Sequence, residues 1–253
     1  MLASRAALHE SAPVPARTFA AAAAPRDYLG FVEVRRAWLS ESAVAYEVSQ
    51  ALEECYAVSL ALAPTDPLVP VSAQRSWAAM AAGETLAAPC RGFEAHRIDP
   101  NEVLALLRYA ADGGEARARA RMLLLRDVAA PKEEVLAEIP ALLSRLDASV
   151  VRDVGAFLVR GETDVLLGET PVPAHVAVIA WELAACDLGY ACGPDSRLTL
   201  GQCAFGETCG AGSYEDALSR SESREDFEAA RGLRNGIVRA LRNADWRWLG
   251  IAA

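Results

Sequence analysis

Six cysteines constrain this chain more than any other feature of its sequence. Four of them form two copies of one pattern, Cys186-x-Leu-Gly-x-x-Cys192 and Cys203-x-Phe-Gly-x-x-Cys209, with five residues between the thiols of each pair. Glycine in the fourth place suits the left-handed conformation that ends a helix and turns the chain back. Such a turn brings the second thiol beside the first. The pattern therefore predicts disulfides Cys186–Cys192 and Cys203–Cys209, and leaves Cys55–Cys90 as the third.

The sequence also allows three alternatives to these disulfides. The four clustered cysteines can exchange partners as Cys186–Cys203 and Cys192–Cys209, remain unlinked, or bind zinc together. Their spacing argues against zinc, because structural zinc sites favour pairs separated by two to four residues. An even number of cysteines favours pairing, and disulfides persist in oxidising compartments. We therefore expect a periplasmic or secreted protein.

Helical periodicity dominates after residue 40 and predicts an all-α fold, an irregular multi-helix array of helical hairpins stapled by disulfides. Asp99-Pro100-Asn-Glu102 is a typical helix start, with a cap, a first-turn proline and a capping-box glutamate. Pro140 should kink or split its helix. Two short β candidates, 31–34 and 164–167, have no evident partner strand and are discounted. The predicted helices cover 42–62, 73–87, 100–111, 115–126, 132–146, 148–160, 172–188, 196–204, 213–220 and 224–243.

The chain divides into a flexible Ala/Pro-rich leader, 1–28, and a single α-helical domain, 29–253, with a cysteine-rich subregion at 172–212. A hydrophobic fraction of 53% is ample for one core of this size. The leader lacks the apolar stretch of a signal peptide. Compartment is therefore inferred from the cysteines alone.

Two segments resemble known protein groups. Ala110-Ala-Asp-Gly-Gly-Glu-Ala-Arg-Ala-Arg-Ala-Arg-Met122 resembles the turn and second helix of tetratricopeptide-like bacterial repeats of the Sel type, over Leu104 to Arg126. That resemblance implies a helical hairpin whose small residues let two helices pack closely. Ala180-Trp-Glu-Leu-Ala-Ala-Cys186 resembles uncharacterised, cysteine-containing exported proteins of bacteria, which implies no activity.

Charge and hydropathy exclude two classes of partner. The formal charge of −9 disfavours nucleic acid and anionic membranes, because phosphate binding depends on a basic surface. The longest stretch without Asp, Glu, Lys or Arg is Thr170 to Trp181, well short of the ~20 apolar residues of a membrane-spanning helix. We therefore predict no membrane span and no nucleic-acid partner.

Candidates for catalysis are few. His175 and Glu182 are seven residues apart on one predicted helix, which places them on the same face as a possible acid/base pair of a small hydrolase or transferase. His9 lies in the leader and His96 in a loop. Glu53 and Glu54 are interpreted as a solvated helix face. No motif in the sequence indicates a cofactor.

The last predicted helix carries arginines and is followed by two tryptophans, residue types that are enriched in interface hot spots. The alternative is an amphipathic helix with a solvated arginine face, with Phe227, Ile237 and Leu241 inward and the tryptophans closing the core. This composition favours our leading hypothesis, a non-enzymatic exported protein that binds another protein as an effector, immunity factor or envelope accessory. The candidate interaction residues are Arg231, Arg234, Arg239, Arg242, Trp246 and Trp248.

Overall fold

A computed structural model describes residues 26–61, 76–94, 97–126, 133–206 and 208–251. His9, His96 and the leader up to residue 25 lie outside these ranges. Helices make up 70% of what is described, so the all-α prediction is confirmed. The helices are α1 Tyr28–Arg35, α2 Ser42–Ala61, α3 Trp77–Ala87, α4 Pro100–Asp112, α5 Ala116–Leu124, α6 Glu133–Leu136, α7 Ile139–Leu143, α8 Ala148–Val159, α9 Ala174–Asp187, α10 Arg197–Gly206, α11 Tyr214–Ser221 and α12 Arg224–Asn243.

Local capping signals begin several of these helices. The side chains of Asp99, Ser213 and Ser223 accept hydrogen bonds from backbone N–H groups in the first turns of α4, α11 and α12. Pro140 lies in the first turn of α7, and the helix predicted over 132–146 is split there into α6 and α7. Proline ends one helix and starts the next because it has no N–H to donate to the preceding turn.

One strand prediction was wrong. Strand β1, Asp164–Leu167, which was discounted, pairs antiparallel with β2, Thr170–Pro173. The partner was missed because residues 172 and 173 were assigned to the next helix, which begins at Ala174. Both strands of a two-stranded ribbon are edges, so the prolines of β2 are tolerated there. The other candidate, 31–34, is helical and belongs to α1, and Tyr28, counted as leader, is fully buried.

The main core surrounds α9. Buried side chains from α5, α7, α8, α11, α12 and the β-hairpin form one cluster with this helix, which is apolar around most of its circumference. Trp181 of α9 is 1% exposed and lies directly against Gly155 of α8. The absence of a side chain at Gly155 therefore sets how closely α8 approaches α9.

A second layer is built from α1, α2, α3, α4 and α10. Val48 and Leu52 of α2 pack with Tyr28 of α1 in one cluster, while α10 packs on α3 through Cys203 and Leu86. Helix α10 lies in sequence between α9 and α11 of the main core but packs on α3 of the N-terminal layer. The chain therefore crosses between the layers after α9.

The structure joins the same three cysteine pairs that the sequence predicts: Cys55–Cys90, Cys186–Cys192 and Cys203–Cys209, with Cα separations of 5.3, 5.7 and 4.3 Å. The exchanged pairing is not the one adopted, and no sulfur is left as a free thiol. Within the described ranges, no helix combines the length and apolar character needed to cross a bilayer.

Candidate functional site

Charged side chains of α2, α5, α8 and α10 meet where the N-terminal layer faces the main core. Arg121 of α5 binds Glu53 of α2, with 2.5 Å between Nη2 and Oε1, and its Nη1 lies 3.6 Å from Oδ1 of Asp153 in α8. The neighbouring Glu54 accepts a hydrogen bond from the Tyr28 hydroxyl and lies 3.1 Å from Arg197 Nη1 of α10. The prediction that Glu53 and Glu54 form a solvated face was wrong. They point apart as expected of adjacent residues, but each meets a partner on another helix.

Glu182, the predicted catalytic carboxylate, lies at the edge of this cluster. The Tyr214 hydroxyl of α11 donates a hydrogen bond to Glu182. Arg152 Nη2 of α8 lies 3.6 Å from Glu182 Oε1, and its guanidinium lies over the ring of Tyr190. Glu182 therefore connects α9 to α8 and α11.

Burial controls the ionisation of this cluster. It raises the pKa values of the Asp153 and Glu54 carboxyls, although the nearby guanidinium groups of Arg121 and Arg197 respectively oppose the rise. Burial, together with the charge of Glu182, also raises the pKa of the Tyr214 hydroxyl, which keeps it a hydrogen-bond donor at neutral pH.

His175 and Glu182 have different partners. The His175 side chain is 61% exposed, and its Nε2 lies 3.4 Å from Asp226 Oδ1 at the start of α12. His175 and Glu182 are seven positions apart in α9, which separates their Cα atoms by about 10 Å along the helix axis. Among the described residues, His175 contacts Asp226, whereas Glu182 contacts Tyr214 and Arg152, so the two side chains have no partner in common. The structure thus places both at helix–helix contacts, and an acid/base role for them stays a prediction.

Helix α12 supplies the four predicted interaction arginines, and two of them, Arg231 and Arg234, pair with acidic residues of neighbouring helices. Arg231 Nε lies 3.1 Å from Glu215 Oε1 of α11. Arg234 lies 3.0 Å from Glu215 and 3.3 Å from Asp187 at the end of α9. These ion pairs attach α12 to α11 and α9.

The other two predicted arginines, Arg239 and Arg242, are exposed. Neither Arg239 nor Arg242 makes an ion pair or side-chain hydrogen bond with any residue of the described ranges. Together with Asp187, Asn235, Val238 and Asn243 they line a surface recess of about 480 Å³, here called the α12 recess.

The two tryptophans pack inward. Trp246 and Trp248 are half-buried against the main core. The Trp248 indole covers Gly236 of α12 and Gly168 of the β-hairpin turn so closely that a Cβ at Gly236 would lie 2.4 Å from its ring. These residues close the core beneath the hairpin.

The charged cluster between the layers was missed in the sequence. One signal of it was present: Arg152 and Asp153 interrupt the otherwise apolar helix α8, whose neighbouring Val151 and Val154 are fully buried. A charged pair at such positions indicates a buried ionic contact. Comparisons with protein families, with curated proteins and with solved structures gave no match. Functional inference therefore depends on these geometries alone.

Proposed function

We propose that this chain is an exported binding protein, periplasmic or secreted, that works by contact with another protein through the α12 recess. The observation that carries the proposal is the division of the α12 arginines. Arg231 and Arg234 are held by acidic residues of the fold, whereas Arg239 and Arg242 have no such partners among the described residues and lie exposed beside a recess. Exposed arginine is a residue type enriched in interface hot spots.

Two further features support this proposal. Three disulfides suit a protein that works in an oxidising compartment. The charged cluster between the layers is paired internally, since Arg121 is bound to Glu53, and Glu54 to Arg197. Its charges serve to hold the layers together, which leaves the surface of α12 as the better candidate for recognition.

Site-specific photo-crosslinking tests the proposal. A photoreactive amino acid replaces Asn243 at the recess, and in a matched protein it replaces Arg224, which is exposed at the opposite end of α12. Both proteins are exported from the producing cell and irradiated in their compartment. We expect a covalent adduct of one defined mass from position 243 and none from position 224. Absence of an adduct at 243, or equal adducts at both positions, contradicts the proposed function.

A further inference from the structure

The side chains of the α12 recess share one face of the helix. Asn235, Arg239 and Arg242 follow one another at intervals of four and three residues, a spacing that places them in a row. On the opposite side, Ile237 and Leu241 are 0% and 3% exposed, which fixes the rotation of α12 about its axis. The row is therefore presented to solvent by a helix that is anchored in the core.

The opposite wall of the recess leaves its positive charge uncompensated. Asp187 at the end of α9 is the acidic residue of the lining, and its Oδ2 lies 3.3 Å from Arg234 Nε. This ion pair offsets the negative charge of Asp187 within the protein. Arg239 and Arg242 lack a comparable partner within the described part of the chain. An incoming anion would therefore meet two available guanidinium groups.

The donors of the recess match a peptide better than a simple ion. A guanidinium group binds a carboxylate through two parallel hydrogen bonds. Side chains on one face of an extended peptide recur about every 7 Å, a spacing that two long arginine side chains three residues apart on a helix can follow. The amides of Asn235 and Asn243 both donate and accept, as a peptide group requires. A free phosphate would use the arginines but has no use for the amide acceptors.

The overall charge of the protein limits the length of the acidic segment. The whole chain carries −9, so it repels a strongly acidic partner at long range. At physiological salt this repulsion is screened beyond about 8 Å, and local contacts decide binding. A short run of acidic residues on a partner that is not itself strongly acidic fits both conditions.

We infer that the α12 recess binds a short acidic segment of a partner polypeptide in extended conformation. Its carboxylates pair with Arg239 and Arg242, and its backbone bonds to Asn235 and Asn243. The inference rests on the proposed function and adds the chemistry of the partner.

Fluorescence anisotropy with defined peptides tests this chemistry. The probe is an end-blocked, fluorophore-labelled decapeptide of alternating glutamate and glycine, and its reference has glutamine in place of glutamate. The intact oxidised protein should bind the glutamate peptide in preference to the glutamine peptide, and less tightly as salt rises. Arg239→Ala and Arg242→Ala should each weaken binding about tenfold, the loss expected for one charge-assisted pair. Arg224→Ala is the matched control and should leave binding unchanged.

Several results overturn the inference. The inference fails if the protein binds the glutamate and glutamine peptides with equal affinity or binds neither peptide. It also fails if the double variant Arg239→Ala/Arg242→Ala binds the glutamate peptide as tightly as the parent does. Inorganic phosphate that competes as well as the peptide, with no effect of Asn235→Ala or Asn243→Ala, identifies a simple anion site instead. A photo-adduct at position 243 that maps to a segment without acidic residues refutes the inference while the proposed function stands. Peptide binding without any photo-adduct refutes the proposed function.

Discussion

The contact between Gly155 and Trp181 makes a demanding test of the core, because a single methyl group has no room there. A Cβ built on Gly155 would lie 2.4 Å from Trp181 Cγ and 2.6 Å from both Cβ and Cδ2. The indole cannot swing away, because Trp181 is 1% exposed and enclosed by the main core. Gly155→Ala must therefore push α8 and α9 apart.

Two opposing terms set the magnitude. Forcing an extra carbon into a packed core costs about 1–3 kcal/mol, and three contacts this short place Gly155→Ala at the upper end of that range. Alanine in place of glycine in a helix interior stabilises the helix by about 1 kcal/mol, because alanine has the higher helix propensity. We expect Gly155→Ala to lower the free energy of unfolding by about 2 kcal/mol.

Gly232→Ala is the matched control. Gly232 lies inside α12, is exposed, and a Cβ there meets no atom within 4 Å. Only the helix-propensity term applies, so this variant should be more stable than the parent by about 1 kcal/mol. Guanidinium denaturation with the disulfides intact, followed by circular dichroism and tryptophan fluorescence, measures both variants.

The expected difference between the two alanine variants is therefore about 3 kcal/mol. If Gly155→Ala is as stable as Gly232→Ala, then α8 does not approach α9 as closely as described. A loss for both variants would instead mean that the propensity argument fails for this protein.

Three further outcomes are expected. Removing the long-range disulfide with Cys55→Ala/Cys90→Ala should lower the free energy of unfolding by about 4 kcal/mol, and Cys203→Ala/Cys209→Ala should lower it by about 2 kcal/mol, because a longer closed loop restricts the unfolded chain more. Denaturation of the purified variants measures both losses. Equal losses would contradict the loop-length argument. Glu182→Ala should lower the free energy of unfolding by about 1–3 kcal/mol, because Tyr214 and Arg152 lose their buried partner. His175→Ala should change the free energy of unfolding little, because the side chain is exposed. Loss of a measured enzymatic activity in both variants at unchanged melting temperature would instead support the hydrolase or transferase alternative. Burial raises the pKa of the Asp153 carboxyl, so the folded protein binds this proton more tightly than the unfolded chain does, and the stability from this group is lost as pH rises through the raised pKa. Urea unfolding at neutral and mildly acidic pH should therefore show a weaker dependence of stability on pH for Asp153→Asn than for the parent. Identical pH profiles of the two proteins would refute this expectation.

Local features of the sequence were sufficient to place most helices. Caps such as Asp99, Ser213 and Ser223 act on N–H groups two or three residues away, so their effect is readable without knowing the fold. The division at Pro140 is equally local. The pairing of Cys186 with Cys192 follows from a helix-ending turn at Gly189, whose φ of 104° is in the left-handed region.

Interactions between distant residues were not readable in this way. Strand β1 was dismissed because no partner strand was evident, since residues 172 and 173 of Thr170–Pro173 were assigned to the next helix. Arg121 and Glu53 are 68 residues apart in sequence, and nothing local to either predicts that α5 and α2 bring them together. The charged cluster therefore emerged only with the packing of the helices.

The sequence by itself determined the helical class, most helix starts and the turn at Gly189 that closes the Cys186–Cys192 loop, because these depend on energies exchanged within a few residues. The Cys203–Cys209 loop closes without the predicted left-handed glycine, because Gly206 is the last residue of α10 and its φ is not positive. The tertiary structure alone decided which arginines of α12 are available to a partner. Arg234 and Arg239 have the same side chain on the same helix, but Glu215 and Asp187 from two other helices form ion pairs with only the first of them. A charge is paired or free according to which elements pack around it, and that arrangement is set by burial of the whole core rather than by any local pattern.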